Sequence, residues 1–220
     1  MAEHEQACVR RRFGDRAVEL RAHNALAERP HAGWLDDIEG VVIGGSGSYS
    51  VHHPDSAAWV NPLREVLDTA LSRQLPGFGI CFGHQLLGLH LGAEVITDTS
   101  RMERGTIGLQ RVNEDPVFGQ LPSRFHAHTG HTDLVTSVPR GTTLLASTEA
   151  VPVQALRMDG AAWWTSQFHP DLAHDEAHAR YAAFARALAA QGGSPGESPD
   201  YKPEGDESAT LLGAWYDEVF

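Results

Sequence analysis

The segment Gly79-Ile80-Cys81-Phe82-Gly83 constrains the fold most, because it lies between a short apolar run and a segment with helical spacing. Residues 78–80 predict a buried strand, and residues 83–91 predict a helix. Glycines flank the cysteine because so sharp a strand-to-helix turn leaves no room for side chains. The helix would place the positive end of its dipole beside the Cys81 sulfur and would direct the Phe82 N–H toward an oxyanion. The pattern predicts a cysteine nucleophile; a buried structural cysteine is the alternative.

The remaining pattern predicts an α/β fold. Strands alternate with helices in the first half of the chain, which favours a mostly parallel sheet with helices on both faces. The segment from residue 93 to residue 164 is rich in strands. The predicted helices cover residues 3–13, 56–72, 83–91 and 172–190, and the predicted strands cover residues 17–20, 41–43, 78–80, 94–97, 106–112, 125–128, 144–146, 153–158 and 162–167.

The end of the chain differs in composition from the rest. We predict one domain over residues 1–191 and an acidic tail over residues 192–220, because residues 192–208 are rich in Gly, Ser, Pro and Glu, as in a flexible linker. The tail holds seven acidic residues and one lysine, a net charge of −6, which is half of the formal charge of −12. Residues 211–216 are apolar enough to dock, either on the parent domain or on a partner.

Charge and cysteine content exclude several classes of function. A net charge of −12 without a clustered basic face argues against binding of nucleic acid. No run of 18 apolar residues occurs and no charged-then-apolar leader opens the sequence, so we expect no membrane association. Two cysteines make no disulfide framework, which favours a reducing compartment and a cytoplasmic location.

A histidine and an aspartate follow the strand at 162–166. Residues i and i+2 of an extended chain point to the same side, so Asp171 can reach the His169 ring. A carboxylate there would fix the imidazole tautomer and stabilise the imidazolium of a base that serves Cys81. Alternatively, Asp171 is the N-cap of a helix beginning at Leu172; two carboxylate oxygens allow both roles.

The sequence contains thirteen histidines, so a metal site is one hypothesis to consider. His126 and His128 share one face of a predicted strand with His131 near them, and His174 and His178 lie four residues apart on a predicted helix. Neither set has a Cys or Glu ligand at a recognised spacing, so we expect solvated surface histidines and no metal site.

Three motifs together resemble class I (triad) glutamine amidotransferases. The resemblance covers residues 40–190, and it is specific because the motifs agree in order and spacing. It is nearest to free-standing proteins similar to the glutaminase domain of GMP synthase. The matching segments are the nucleophile motif at 79–87, the histidine–acid motif at 167–171, the oxyanion-strand motif at 44–51, and two lesser segments at 131–133 and 152–155.

The resemblance implies a flavodoxin-like core and L-glutamine as amide donor. Cys81 would attack the carboxamide carbon, His169 would handle the protons, and the N–H groups of Gly45 and Phe82 would hold the oxyanion. Ammonia would leave first, and water would then release glutamate from a γ-glutamyl thioester. Gln85 would contact the substrate, and no cofactor is expected.

His131 and Asp133 are weaker site candidates. They would line the substrate side, although an ordinary loop is a nearly equal alternative.

Two features depart from the family pattern. The family usually has glutamate where this chain has Asp171, so the shorter aspartate would orient His169 less well. The family also opens with an apolar strand in the middle of the sheet, whereas the sequence here opens with a predicted helix. We therefore expect the first central strand to be missing and its neighbours to expose unpaired groups.

Three functions fit these residues. The leading one is a glutaminase that supplies ammonia to a separate synthetase, because no acceptor-activating domain fits in this chain. The second is a stand-alone γ-glutamyl hydrolase or peptidase with the same triad. The third is a catalytically idle binding or regulatory module, which has no need of a reactive thiolate at Cys81.

Overall fold

A seven-stranded sheet and a separate two-stranded sheet organise the chain. The computed structural model describes residues 2–47, 49–190, 192–194 and 196–220. The strands are β1 Val41–Ile43, β2 Gly77–Ile80, β3 Val95–Thr97, β4 Glu103–Arg111, β5 Arg124–His131, β6 Asp133–Val135, β7 Thr142–Ser147, β8 Ala155–Met158 and β9 Trp163–Ser166. The α-helices are α1 Ala2–Arg12, α2 Ala57–Ser72, α3 Phe82–His90, α4 His174–Ala190 and α5 Leu211–Val219, and Pro203–Thr210 forms a 3₁₀ helix.

The large sheet is parallel at one end and antiparallel at the other. Its order is β1-β2-β9-β8-β7-β4-β5, while β3 pairs with β6. Among the described strands of this sheet, β1, β2 and β9 pair in parallel, and the other four pairings are antiparallel. The parallel part is therefore smaller than the sequence suggested. Short connections in the second half permit antiparallel pairing, whereas parallel strands need long crossovers.

Helices cover both faces of the sheet, as predicted. Trp163 and Trp164 are adjacent in β9 and point to opposite sides. Trp163 packs with residues of α2 and α3, such as Leu67 and Leu86. Trp164 belongs to the cluster on the other face, where Trp215 of α5 lies. This two-sided burial confirms the α/β class.

The parallel strands position the candidate site. Their carboxyl ends lie at one edge of the sheet, which is where open α/β sheets bind ligands. β1 ends just before the loop that contains Gly45, β2 ends just before Cys81, and β9 ends three residues before His169. Three predicted site residues thus reach one edge because the strands run in the same direction.

One of the structural predictions for the start of the chain is wrong. The predicted helix is confirmed as α1, but residues 17–20, predicted as a weak strand, are irregular. Within the described residues β1 pairs only with β2 and forms an edge of the sheet. The short strand β6 was not predicted. None of the described helices is both long and apolar enough to cross a membrane.

The segment at residues 200–220 is packed rather than flexible, which corrects the prediction of a flexible tail. The Thr106 N–H donates to the Asp200 carbonyl at 2.9 Å, and the Lys202 N–H donates to the Thr106 hydroxyl at 2.7 Å. Leu211, Leu212 and Trp215 are at most 2% exposed and belong to the core. The apolar end therefore docks on its own domain. Composition misled because the Gly-, Pro- and acid-rich stretch leads directly into this buried helix.

Substitution of Gly83 measures how tightly the turn after β2 is packed. A Cβ built on Gly83 would lie 2.3 Å from the Ile43 carbonyl oxygen, and backbone cannot move away cheaply. We expect Gly83→Ala to lower the free energy of unfolding by about 1–3 kcal/mol. Gly119→Ala is the matched control, because a Cβ there meets nothing within 4 Å; its expected change is below about 0.5 kcal/mol. Equal urea midpoints for the two variants would contradict the packing described.

Candidate active site

Cys81 lies at the predicted strand–turn–helix junction, between β2 and α3. Its backbone has φ 50° and ψ −95°, a sparsely populated conformation for a residue with a side chain. The Cys81 N–H donates to the Ser166 carbonyl at 2.7 Å, which ties the turn to the end of β9. A Cβ built on Gly79 would lie 2.7 Å from the Gly83 backbone. The glycines are thus required by the close approach of the chain to itself.

His169 and Asp171 form a buried pair. The His169 Nδ1 lies 3.0 Å from Asp171 Oδ1, and the two side chains are 12% and 5% exposed. The other carboxylate oxygen, Oδ2, lies 2.7 Å from Arg180 Nη1. Asp171 does not cap a helix beginning at Leu172, because α4 begins at His174. The interpretation of Asp171 as an N-cap is therefore wrong, and its geometry is that of an orienting acid.

Both members of this pair are charged at neutral pH. Burial lowers the pKa of His169, but the charge and hydrogen bond of Asp171 and a hydrogen bond with Cys81 raise it to about 9. Burial raises the pKa of Asp171, but the positive charges of Arg180 and His169 hold it well below its usual range. An imidazolium beside Cys81 can donate a proton to a leaving amine.

Gly45 brings the loop after β1 close to these residues. A Cβ built on Gly45 would lie 3.1 Å from His169 Cε1 and 3.9 Å from Cys81 Cβ. Phe82 is the first residue of α3, so its N–H is one of those that a helix leaves without an internal partner. The contribution of both N–H groups to an oxyanion hole stays a prediction.

An amide network connects Gln85 to the cysteine. The Gln167 amide donates to the Cys81 sulfur at 3.5 Å, and its oxygen accepts from Gln85 Nε2 at 3.2 Å. Gln85 Nε2 also donates to the Asp133 carbonyl at 3.0 Å. The Gln85 carbonyl oxygen is thus the group that can accept a hydrogen bond from a substrate. Sequence reasoning missed the Gln167 contact, although its spacing of two residues from His169 places both on one side of the chain.

His131 is held by two partners rather than offered to a ligand. Its Nε2 lies 3.0 Å from Glu103 Oε2 and its Nδ1 lies 3.0 Å from the Asp133 carbonyl oxygen. The Asp133 carboxylate accepts from the Thr97 hydroxyl at 2.6 Å and keeps further lone pairs. Asp133 is therefore the better candidate for binding a substrate ammonium group.

Two of the histidines expected on the surface are buried. His128 is 0% exposed and its Nε2 lies 2.9 Å from Asp206 Oδ1, while His131 pairs with Glu103 as described above. The prediction of solvated surface histidines is wrong for these two residues. Residues distant in sequence supply their carboxylate partners, so local spacing did not reveal them. Among the residues that the structure describes, no group of three or more His, Cys, Asp or Glu side chains could hold a metal ion.

A cavity of about 660 Å³ brings most of the predicted site residues together. Asp171 and Phe82 do not line it; Asp171 lies behind His169. Arg180, which sequence reasoning missed, does line the cavity, together with aromatic side chains from α4 and the C-terminal segment. The predicted residues on its wall are Gly45, Cys81, Gln85, His131, Asp133 and His169.

An α/β sheet that places Cys81 at a sharp turn, opposite a buried His169–Asp171 pair, is the arrangement that the sequence motifs predicted. The profile of the family "Glutamine amidotransferase class-I" matches residues 6–186 of the chain. The chain therefore belongs to the class I glutamine amidotransferase family.

Its similarity to individual proteins agrees with this assignment. It is 35% identical over 142 residues to the glutamine-hydrolyzing GMP synthase subunit of Sulfurisphaera tokodaii, an alignment that covers 64% of this chain and 72% of that protein. It is 32% identical over 143 residues to the corresponding subunit of Methanocaldococcus jannaschii, covering 64% and 68%. The crystal structure of a glutamine amidotransferase from Thermotoga maritima superposes with a TM-score of 0.69 at 22% identity, covering 87% of this chain and 80% of that chain, which supports the fold.

The charged His169–Asp171 pair predicts the pH dependence of catalysis. A pKa raised to about 9 keeps the imidazolium protonated below that pH, so kcat/KM for amide hydrolysis is expected to fall as pH rises through about 9. Asp171→Asn removes the charge that raises this pKa, so the alkaline limb is expected to move toward about 6.5, the ordinary value for histidine. Initial rates between about pH 6 and pH 10 measure the alkaline limb of the wild type and that of the variant. An unchanged alkaline limb in the variant would contradict the electrostatic coupling.

Proposed function

We propose that this protein hydrolyses the side-chain amide of L-glutamine through a Cys81 thioester and supplies the ammonia to a separate acceptor enzyme. The single observation that carries the proposal is the buried His169–Asp171 pair, at 3.0 Å, with His169 lining the same cavity as Cys81 at the strand–helix turn. Similarity to proteins named as glutamine-hydrolyzing subunits of GMP synthase supports both the substrate and a partner synthetase. The cytoplasmic location and the lack of a cofactor stay predictions.

The proposed reaction begins with the Cys81 thiolate attacking the carboxamide carbon of glutamine. A C–S bond forms, and the carbonyl oxygen takes the negative charge beside the Gly45 and Phe82 N–H groups. The His169 imidazolium gives its proton to the leaving nitrogen, so that ammonia departs as the C–N bond breaks. Neutral His169 then accepts a proton from water, which attacks the thioester and releases glutamate and the thiolate.

Asp133 and Gln85 suit the amino-acid end of the substrate. The Asp133 carboxylate can pair with the α-ammonium group, and the Gln85 oxygen can accept a second hydrogen bond. Because both line the same cavity as Cys81, one glutamine can contact them while its side chain reaches the sulfur.

The size of the cavity favours a second candidate, hydrolysis of γ-glutamyl conjugates. At about 660 Å³ it has room for much more than one amino acid. Tyr181, Phe184 and Tyr201 contribute aromatic surface to its wall. A γ-glutamyl amide of a larger amine would bury that amine there, with the same thioester chemistry at Cys81.

Product analysis with purified protein tests and separates these functions. Equimolar ammonia and glutamate from L-glutamine, increased by the synthetase component of a related GMP synthase, would support the leading proposal. Efficient cleavage of γ-glutamyl peptides, with glutamine turned over poorly even in the presence of the synthetase, would replace it with the second candidate. Failure of both substrates, with Cys81 also unreactive toward iodoacetamide, would leave a catalytically idle module.

A further inference from the structure

Arg180 carries no role in the proposed reaction, yet it contacts the pair that activates Cys81. Its Nη1 lies 2.7 Å from Asp171 Oδ2 and 3.4 Å from His169 Nδ1. The side chain is only 14% exposed. We propose that Arg180 is a positioning residue that holds the Asp171 carboxylate in the plane where it orients His169.

The two oxygens of Asp171 have different partners, and this division fixes the carboxylate. Oδ1 faces the imidazole at 3.0 Å, and Oδ2 faces the guanidinium at 2.7 Å. A carboxylate held only through Oδ1 could rotate about its Cβ–Cγ bond and release the ring. A charge-assisted hydrogen bond on Oδ2 opposes that rotation. The effect matters more for aspartate than for glutamate, because the shorter side chain reaches His169 from fewer conformations.

The surroundings of Arg180 argue against an ordinary surface ion pair. Its Nε and Nη2 are buried, and neither has a hydrogen-bond partner among the described residues. Burying a guanidinium with unsatisfied donors costs free energy, so the interaction is weak evidence for a role in stability. The charge is compensated first by Asp171 and then by Glu5 of α1. The buried position of Arg180 therefore serves its contact with Asp171, the acid that orients His169.

Helix α4 determines where Arg180 contacts Asp171. Arg180 lies in its second turn, and Ala177, one turn earlier on the same helix, packs with Cys8 of α1 and with Leu172. The helix therefore carries the guanidinium to Oδ2 of Asp171, where its Nη1 also lies 3.4 Å from His169 Nδ1. Each cation contacts a different oxygen of the same carboxylate, so Asp171 compensates both charges at once.

The proposal rests on the glutaminase activity, and the test compares three variants of the full chain. Arg180→Gln is expected to lower kcat for glutamine hydrolysis roughly 10–100-fold with KM within about twofold, the size of effect seen for groups that orient metal-bound histidines. Arg180→Lys keeps the charge but loses the planar fork, so it is expected to recover part of the loss. Arg186→Gln is the matched control on the exposed side of the same helix, and its kcat should equal that of the wild type.

A double-mutant cycle separates positioning from stability. In an Asp171→Asn background there is no carboxylate to hold, so adding Arg180→Gln is expected to change kcat less than about twofold. An arginine that acted only on stability would lower thermal stability without affecting kcat at a temperature where the variant is folded. If Arg180→Gln does not fold, Arg180→Lys is used in the same cycle. Wild-type kcat in the folded Arg180 variant, or equal losses in both backgrounds, would overturn the proposal.

A readout without substrate keeps this test independent of the proposed function. The rate of Cys81 alkylation by iodoacetamide, followed by peptide mass spectrometry, depends on thiolate formation and hence on His169. Arg180→Gln is expected to slow it several-fold, whereas Arg186→Gln should not. If the wild type releases no ammonia but its alkylation rate depends on Arg180, the positioning role holds and the glutaminase proposal fails. If ammonia is released and the alkylation rate is unaffected by Arg180, the positioning role fails alone.

Discussion

Replacing Cys81 by alanine is expected to abolish amide hydrolysis, with a fall in kcat of at least about 10⁴-fold. The variant has no atom with which to form the thioester, and His169 alone offers no comparable nucleophile. Glutamine binding should persist, because Asp133, Gln85 and the Gly45 loop remain in place. Ammonia release and isothermal titration with L-glutamine measure the two effects separately. Residual turnover within tenfold of the wild type would show that the chemistry takes place elsewhere.

Cys8→Ala provides the matched control for this experiment. Cys8 is the other cysteine of the chain, is 0% exposed, and packs against Leu172 and Ala177. Burial raises the pKa of its thiol, so it is a poor nucleophile at neutral pH. Its replacement is expected to leave kcat within about twofold and to cost some stability, about 1 kcal/mol. Comparison of Cys81→Ala with Cys8→Ala thus separates the loss of a nucleophile from the loss of a buried thiol.

The sequence predicted the part of the site that depends on neighbours along the chain. The cysteine turn is recognisable because Gly79 and Gly83 are needed within two residues of Cys81. The His169–Asp171 contact is recognisable because alternate residues of an extended segment share one side. In both cases the physical constraint acts over a few residues, and a single sequence contains it.

The sequence could not predict contacts made by packing of distant elements. Arg180 reaches Asp171 because α4 packs with α1 through Ala177 and Cys8, and no local pattern distinguishes it from Arg186 on the same helix. Glu103 meets His131 across the pairing of β4 with β5. Asp206 meets His128 because the C-terminal segment crosses β5. Each of these side chains looks like an ordinary surface charge until the fold is known.

The C-terminal segment shows how composition and burial can disagree. Residues 192–208 have the composition of a linker, but a few side chains decide whether such a segment is ordered. Asp206 accepts hydrogen bonds from the His128 ring and from the His174 N–H at 2.6 Å. Helix α5 then adds a large apolar surface to the core. Tyr201, five residues before Asp206, lines the cavity that contains Cys81, so the segment contributes to the candidate site as well as to the core.

Leucine-to-alanine substitutions measure how much the fold depends on this segment. Leu212 of α5 is 0% exposed, whereas Leu26, in an irregular stretch, is 50% exposed. Leu212→Ala is expected to lower the free energy of unfolding by about 2–5 kcal/mol, because it loses transfer free energy and leaves a cavity in the core cluster that contains Phe13 and Trp215. Leu26→Ala is expected to cost less than about 0.5 kcal/mol. Urea denaturation measures the stability of both variants, and the same side chain is removed in each.

If Leu212→Ala were as stable as Leu26→Ala, α5 would not be part of the core, and residues 192–220 would be the flexible tail that their composition suggests. The expected loss instead makes α5 part of the same cooperative unit as β2 and β9, the strands that lead to Cys81 and His169, so that unfolding of this helix would also disassemble the candidate site.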